Sequence, residues 1–298
     1  MLPLLHLAPG ESSLYWQLHP DVIALCVALL AGYWYAVTRL RSRISDAGRV
    51  KRSQAALFVA GVLVIYVASS SPLHELSEDY LASMHMVQHM GYTLIAPPLL
   101  IAGTPGWLLR APLRWKQVFR IARLVTLPLV AFAAFNAVTL LTHLPSTVNI
   151  ALTHHWFHFA VHVSLVLTAL LMWWPILSPI QELPRLSYPL QMGYLFVQSL
   201  IPSVLAAFMT FSTGVFYEYY ATAPRVWGLT PIEDQQFAGF VMKILGSLIL
   251  WGFIAYAFFK WYQSDSAEHR DPRWDEVREE MSRLGLPMDT GAPKPEFR

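Results

Sequence analysis

A single cysteine, Cys26, stands among the 298 residues, which excludes an intramolecular disulfide and any metal site built on paired thiolates such as Cys-x-Cys. It falls inside the first apolar stretch, where a free cysteine is expected to pack as a small hydrophobe. Charge is scarce too: 13% of the residues are Asp, Glu, Lys or Arg, against 55% apolar, and the mean hydropathy is +0.42. A water-soluble domain carries roughly 25% charged residues, so water is not the solvent of this chain. His-Glu-x-x-His, Gly-x-Ser-x-Gly and a glycine-rich phosphate loop are all missing, which removes the sequence basis for zinc-protease, serine-hydrolase or nucleotide chemistry. No internal repeat of the kind that marks many transporters is visible. The short alternating segments of a membrane barrel are also lacking, because runs such as Gln54 to Ser70 and Leu245 to Phe259 are continuously apolar.

What is present is a series of seven apolar stretches, near 21–38, 54–72, 83–103, 124–142, 156–176, 190–211 and 237–260. Each approaches the roughly 20 residues that a helix needs to cross a bilayer. The fold class is therefore all-α: a polytopic bundle of seven transmembrane helices over residues 1–262, with a tail at 263–298. Met1 to Gly10 lack the charged start and the length of a cleaved signal, so the first helix itself is expected to direct insertion.

Basic residues set the expected orientation. The connection 39–52 carries Arg39, Arg41, Arg43, Arg49, Lys51 and Arg52, and 104–123 carries Arg110, Arg114, Lys116, Arg120 and Arg123. The segments between them in alternation, 1–20, 73–82, 143–155 and 212–236, hold one basic residue, Arg225. The positive-inside rule then puts the basic connections and the C-terminal tail in the cytoplasm and the N-terminus outside. Because this reading explains every connection at once, it takes precedence over a nucleic-acid patch. In the tail, Asp271 and Pro272 resemble the start of a helix, and Trp274, Val277, Met281 and Leu284 recur at helical spacing before Gly285. That predicts a short amphipathic helix on the inner membrane surface, with disorder after Pro287.

Of the eleven histidines, all but His269 fall outside the helices or in their outer portions under this topology. His85 and His89, and likewise His158 and His162, are spaced four apart, which puts each pair on one helix face about 6 Å apart along the axis. Two such faces, with His143 at the end of the fourth helix, have the makings of one metal site. Polar side chains within a span are costly and turn to the bundle interior, which favours ligation over simple contact with interfacial water. His154 and His155 are expected to be solvated, and His6, His19 and His74 are weaker candidates. Met84, Met86 and Met90 interleave with the first pair, and Met209 and Met242 lie at similar depth. Imidazole plus thioether suits copper as Cu(I), whereas packing is the ordinary use of methionine. Haem held between histidines is the competing reading, but Arg225 and Lys243 are the only cations on that side to meet its propionates. Lys243 has a second possible use, neutralising Glu233 or Asp234.

Residues 71–105 resemble the CtaG family of cytochrome c oxidase assembly proteins. The resemblance rests on Ser71-Pro72-Leu73, the core His85-Met86-Val87-Gln88-His89, Pro97-Pro98 and Gly103-Thr104-Pro105. Further pieces are His143-Leu144-Pro145, His158 with His162, Trp173-Trp174-Pro175, and Asp234-Gln235 with Gly239. The single-span, cysteine-bearing copper chaperone that shares the name is a different chemistry. The resemblance implies a multi-pass protein of the bacterial cytoplasmic (inner) membrane that assists assembly of a haem-copper oxidase without turning over a substrate. It further implies oxidase subunits as partners, and a periplasmic or extracellular copper chaperone as donor, besides membrane lipid and without nucleic acid. The expected ligands are His85, His89, His143, His158 and His162 with Met86 and Met90, supported by Gln88, Asp234, Gln235 and Lys243. Lys243 departs from the family pattern. Three functions compete: copper delivery, copper transport, and a haem-bearing oxidoreductase.

Overall fold

A computed structural model describes residues 18–44, 47–268 and 274–285, and among them every regular element is helical. The chain opens with α1 (Pro20–Thr38), followed by α2 (Arg52–Ser70). Pro72 ends the second span, because its ring cannot continue the helix, and it starts a short helix, α3 (Pro72–Asp79), capped by the Ser71 hydroxyl. The third span runs from α4 (Ala82–Met90) through a π-helical turn (Gly91–Ile95) into α5 (Ala96–Gly103). Pro97 has no N–H for the carbonyl of Thr93 four residues back, and the Trp173 indole donates to that carbonyl instead, at 2.9 Å. The widened turn and the Pro97-Pro98 pair are thus one feature, set immediately beneath His89.

The basic connection then folds as α6 (Gly106–Arg110) and α7 (Lys116–Val125) before α8 (Pro128–Thr142). A short helix, α9 (Pro145–Thr153), leads to α10 (His155–Leu177) and α11 (Tyr188–Phe211). After α12 (Glu218–Thr222), α13 runs without a break from Pro231 to Glu268. Among the described residues, five helices are long and apolar enough to cross a membrane, and two bent pairs bring the number to as many as seven. The bends are 93° between Ala82–Gly103 and Gly106–Arg114, and 70° between Lys116–Val125 and Pro128–Thr142. The fourth expected span, 124–142, is therefore shortened to the 15 residues of α8 by Pro128. The last span begins at Pro231 rather than 237 and passes through the expected domain boundary at 262. In the tail, α14 (Trp274–Arg283) is helical as expected, and Gly285 has the positive φ of a helix stop. Asp271, Pro272 and the stretch after Pro287 lie outside the described residues.

Two glycines let spans approach closely. A Cβ on Gly103 would collide with the backbone of Phe58 on α2, and one on Gly239 would lie 2.6 Å from the Ala206 carbonyl on α11. Large apolar side chains such as Leu129, Phe208 and Leu248 point outward, as they do when lipid is the solvent. At one end, Arg110 pairs with Glu182 at 3.0 Å, joining two basic-end connections. At the other, His19 pairs with Glu75 and His155 lies 3.8 Å from Asp21. Reporters fused within 39–52 and 104–123 are expected to read as cytoplasmic and one fused at Ser146 as external. Both classes on the same side would overturn the orientation.

Candidate metal centre

Five histidines from three spans converge at the end of the bundle away from the basic connections. His85 and His89 come from α4, His158 and His162 from α10, and His143 caps the C-terminus of α8. Their ring centroids lie 4.3 Å apart for His85 and His89 and 4.2 Å for His158 and His162. Between elements the separations are 5.9 Å for His85–His158, 6.0 Å for His85–His162, 5.5 Å for His89–His162 and 5.4 Å for His89–His143. An imidazole bound at about 2 Å through nitrogen keeps its centroid about 3 Å from the ion, so two ligands of one tetrahedral ion sit roughly 5 Å apart. The cluster is already at that spacing. His85, His158 and His162 each offer a nitrogen such that all three atoms lie within 4.8 Å of one another.

Hydrogen bonds fix which nitrogens are free. His143 Nδ1–H donates to the Thr139 carbonyl at 2.7 Å, which leaves the Nε2 lone pair exposed, and that atom is buried without a partner. His158 Nδ1 lies 3.3 Å from the Glu78 carboxylate, so its Nε2 also carries a lone pair, 3.0 Å from His162 Nε2. His85 Nδ1 and both nitrogens of His89 are buried with no partner. Leaving a polar atom unsatisfied in the interior costs about 1–3 kcal/mol, and here four such atoms lie on three neighbouring rings. A metal ion takes one nitrogen from each ring it binds, and the donor set of neutral imidazoles fits one.

The supporting residues act as braces. Asp234, fully buried on α13, accepts from the backbone N–H groups of Ala82 and Ser83 and from the Ser83 hydroxyl, at 2.7, 3.1 and 2.5 Å. A carboxylate from another span thereby caps α4 and fixes the helix that carries His85 and His89. Gln88 donates to the Ala68 carbonyl at 2.7 Å and accepts from Ser77 at 3.1 Å, tying α4 to α2 and α3. Gln235 holds the connection before α12 through Phe216 N and Gly214 O. Lys243 does something else: it lies more than three turns into α13, is exposed, and donates to Ser203 at 2.7 Å. It does not neutralise Glu233 or Asp234, because Glu233 is bound by Thr230 and Asp234 by α4.

Met86 and Met90 are buried, but they pack in the apolar core beside the cluster. Met90, Met172 and Met242 line a small cavity of about 40 Å³ that His89 and His143 also border. Unpaired buried atoms of Thr139 and Gln198 border the same cavity. Met172 stands apart from the other methionines in sequence and carried no motif that would have marked it. His154 and His155 are exposed, and His6 and His269 lie outside the described residues. Arg225 is taken up by the carbonyls of Tyr220 and Ala223, so it is not free for a haem propionate.

One residue that the sequence reading missed is Glu78. The same oxygen lies 3.1 Å from His74 Nδ1 and 3.3 Å from His158 Nδ1. Burial works against its charge, yet the hydrogen bond from His158 and the neighbouring imidazoles outweigh that and hold the carboxyl below its usual value. Next to it, the hydrogen bond to Glu75 raises His19 above the ordinary imidazole range.

A family model described as cytochrome c oxidase caa3 assembly factor (Caa3_CtaG) matches residues 31–264. An uncharacterized protein of Mycobacterium bovis, Mb0105, is 24% identical over 268 residues, covering 84% of this chain and 40% of its own length. An uncharacterized protein of Mycobacterium leprae, ML1998, is 23% identical over 240 residues, covering 75% of this chain and 36% of its own length. The chain thus spans well under half the length of these curated relatives. No solved structure matches. The matched region includes all five clustered histidines, and the chain belongs to the cytochrome c oxidase caa3 assembly factor family.

Proposed function

We propose that this member of the oxidase assembly family holds copper, as Cu(I), in the five-imidazole cluster at the outer face of the bacterial inner membrane and delivers it to the oxidase. The observation that carries the reading is the set of unpaired buried nitrogens on His85, His89 and His143 beside His158 and His162, whose Nε2 atoms meet each other at 3.0 Å. Neutral nitrogen donors in a low-dielectric site suit a soft monovalent ion, because binding brings in one charge rather than two. Glu78 is the carboxylate beside the cluster, and it reaches His158 on the ring edge away from His162. It therefore orients a ligand, as outer-sphere carboxylates do for metal-bound histidines.

Metal analysis of the purified protein tests this, with about one copper per folded chain expected. Zinc or iron in place of copper, or an absorption band of bound haem, would overturn it. The cavity beneath His89 and His143, with Met90, Met172 and Met242 on its walls, favours a second reading in which copper moves on through the membrane. Proteoliposomes loaded with a Cu(I) chelator separate the two readings. Delivery at the outer face predicts no protein-dependent accumulation inside, and transport predicts steady accumulation.

A further inference from the structure

Glu78 belongs to a file of side chains that leads from the surface to the cluster. His19 Nε2 lies 3.0 Å from Glu75 Oε1, and the His19 ring meets the edge of His74 at 4.6 Å. His74 Nδ1 lies 3.1 Å from the Glu78 oxygen that also contacts His158. Exposure falls along the three imidazoles, from 23% at the His19 side chain to 14% at His74 and 7% at His158, while the Glu78 carboxylate between the last two is 27% exposed. We propose that His19, Glu75, His74 and Glu78 form a rim site that captures the incoming cation and passes it to the imidazole cluster. The inference rests on the metal reading above and adds an uptake step to it.

The rim and the cluster differ in chemistry in the way that such a step requires. Two carboxylates with two imidazoles make a negatively charged, hard-to-borderline donor set that draws cations from water and exchanges ligands readily. The five-imidazole cluster is neutral and soft, which suits retention. Basic residues do not oppose capture, since Arg225 is engaged by carbonyls on α12 and its connection. His158 joins the two sets, presenting Nδ1 to Glu78 and Nε2 to His162. No covalent or redox step is involved.

Glu78 also orients His158, so the test uses the outer pair, which does not touch the cluster. Cu(I), supplied from a weak soluble chelator, is added to the metal-free full-length protein, and both uptake rate and final stoichiometry are read. Glu75→Gln is expected to slow uptake about tenfold or more, the lower range of electrostatic steering effects, and His19→Ala to slow it through loss of a capturing nitrogen, while final copper per chain stays at the wild-type level in both. Wild-type uptake is expected to slow with added salt, and the Glu75→Gln protein is expected to lose much of that dependence. Unchanged rates in both variants overturn the rim site while leaving the cluster reading intact. A wild-type protein that binds no copper overturns the metal reading, and the rim site with it. Variants that lose stoichiometry rather than rate make the outer pair structural, which also overturns the proposal.

Discussion

Replacing His89 or His162 by Ala is expected to lower the copper retained per folded chain by more than the roughly 10–100-fold typical of outer-sphere changes around a metal. His89 makes the sharper case. Both of its nitrogens are buried without a partner, so the substitution breaks no hydrogen bond from the ring and leaves only the cost of a smaller side chain. Metal-free wild-type and His89→Ala proteins should therefore melt at similar temperatures. Copper should raise the melting temperature of the wild type alone, because an ion stabilises only a state that binds it. His154→Ala and His155→Ala serve as controls, since both side chains are exposed and should leave copper content unchanged. A structural role for the cluster predicts the opposite pattern, with loss of the folded protein before any metal is added. Equal copper in the wild type, His89→Ala and His162→Ala would sink the metal site and leave a protein that works by partner contacts.

Much of this site was legible because helical periodicity is local. A spacing of four puts His85 over His89 and His158 over His162 whatever the rest of the bundle does, and the cost of polar groups in lipid turns those faces inward. The all-helical class and the approximate positions of the spans followed from hydropathy alone. The braces were less accessible. Asp234 is separated by about 150 residues from the backbone amides that it caps, and no periodicity encodes a contact between spans. Glu78 and Glu75 escaped notice, and His19 ranked only as a weaker candidate, for the same reason: singly, each reads as a polar residue near a membrane surface. The kink at Ser71-Pro72, which turns α3 so that His74 and Glu78 lie beside His158, was visible as a proline but not as a geometry. Lys243 was misplaced because the last span begins six residues earlier than hydropathy suggested, which sets the lysine deeper and against Ser203.

Deleting this protein is expected to leave its oxidase present in the membrane but short of copper, with activity about tenfold lower when external copper is limiting. The direction of the loss follows from mass action: without a delivery factor, occupancy of the oxidase site is set by free copper alone, and a large excess of the metal should restore part of the activity. The informative strain carries His89→Ala in place of the wild type. If the protein acts by handing on an ion, that strain should resemble the deletion at low copper and be rescued by the same excess. If it acts by holding oxidase subunits together, His89→Ala should support full activity, because His89 is buried and offers no surface to a partner. Glu75→Gln falls between these extremes. Slower capture with an intact cluster predicts a deficit only when copper is scarce, disappearing at moderate concentrations that do not yet rescue His89→Ala. The order in which the three strains recover as copper is raised, Glu75→Gln well before His89→Ala and the deletion, thus reads out capture and retention separately. Full oxidase activity in the deletion strain at limiting copper would remove the delivery role altogether.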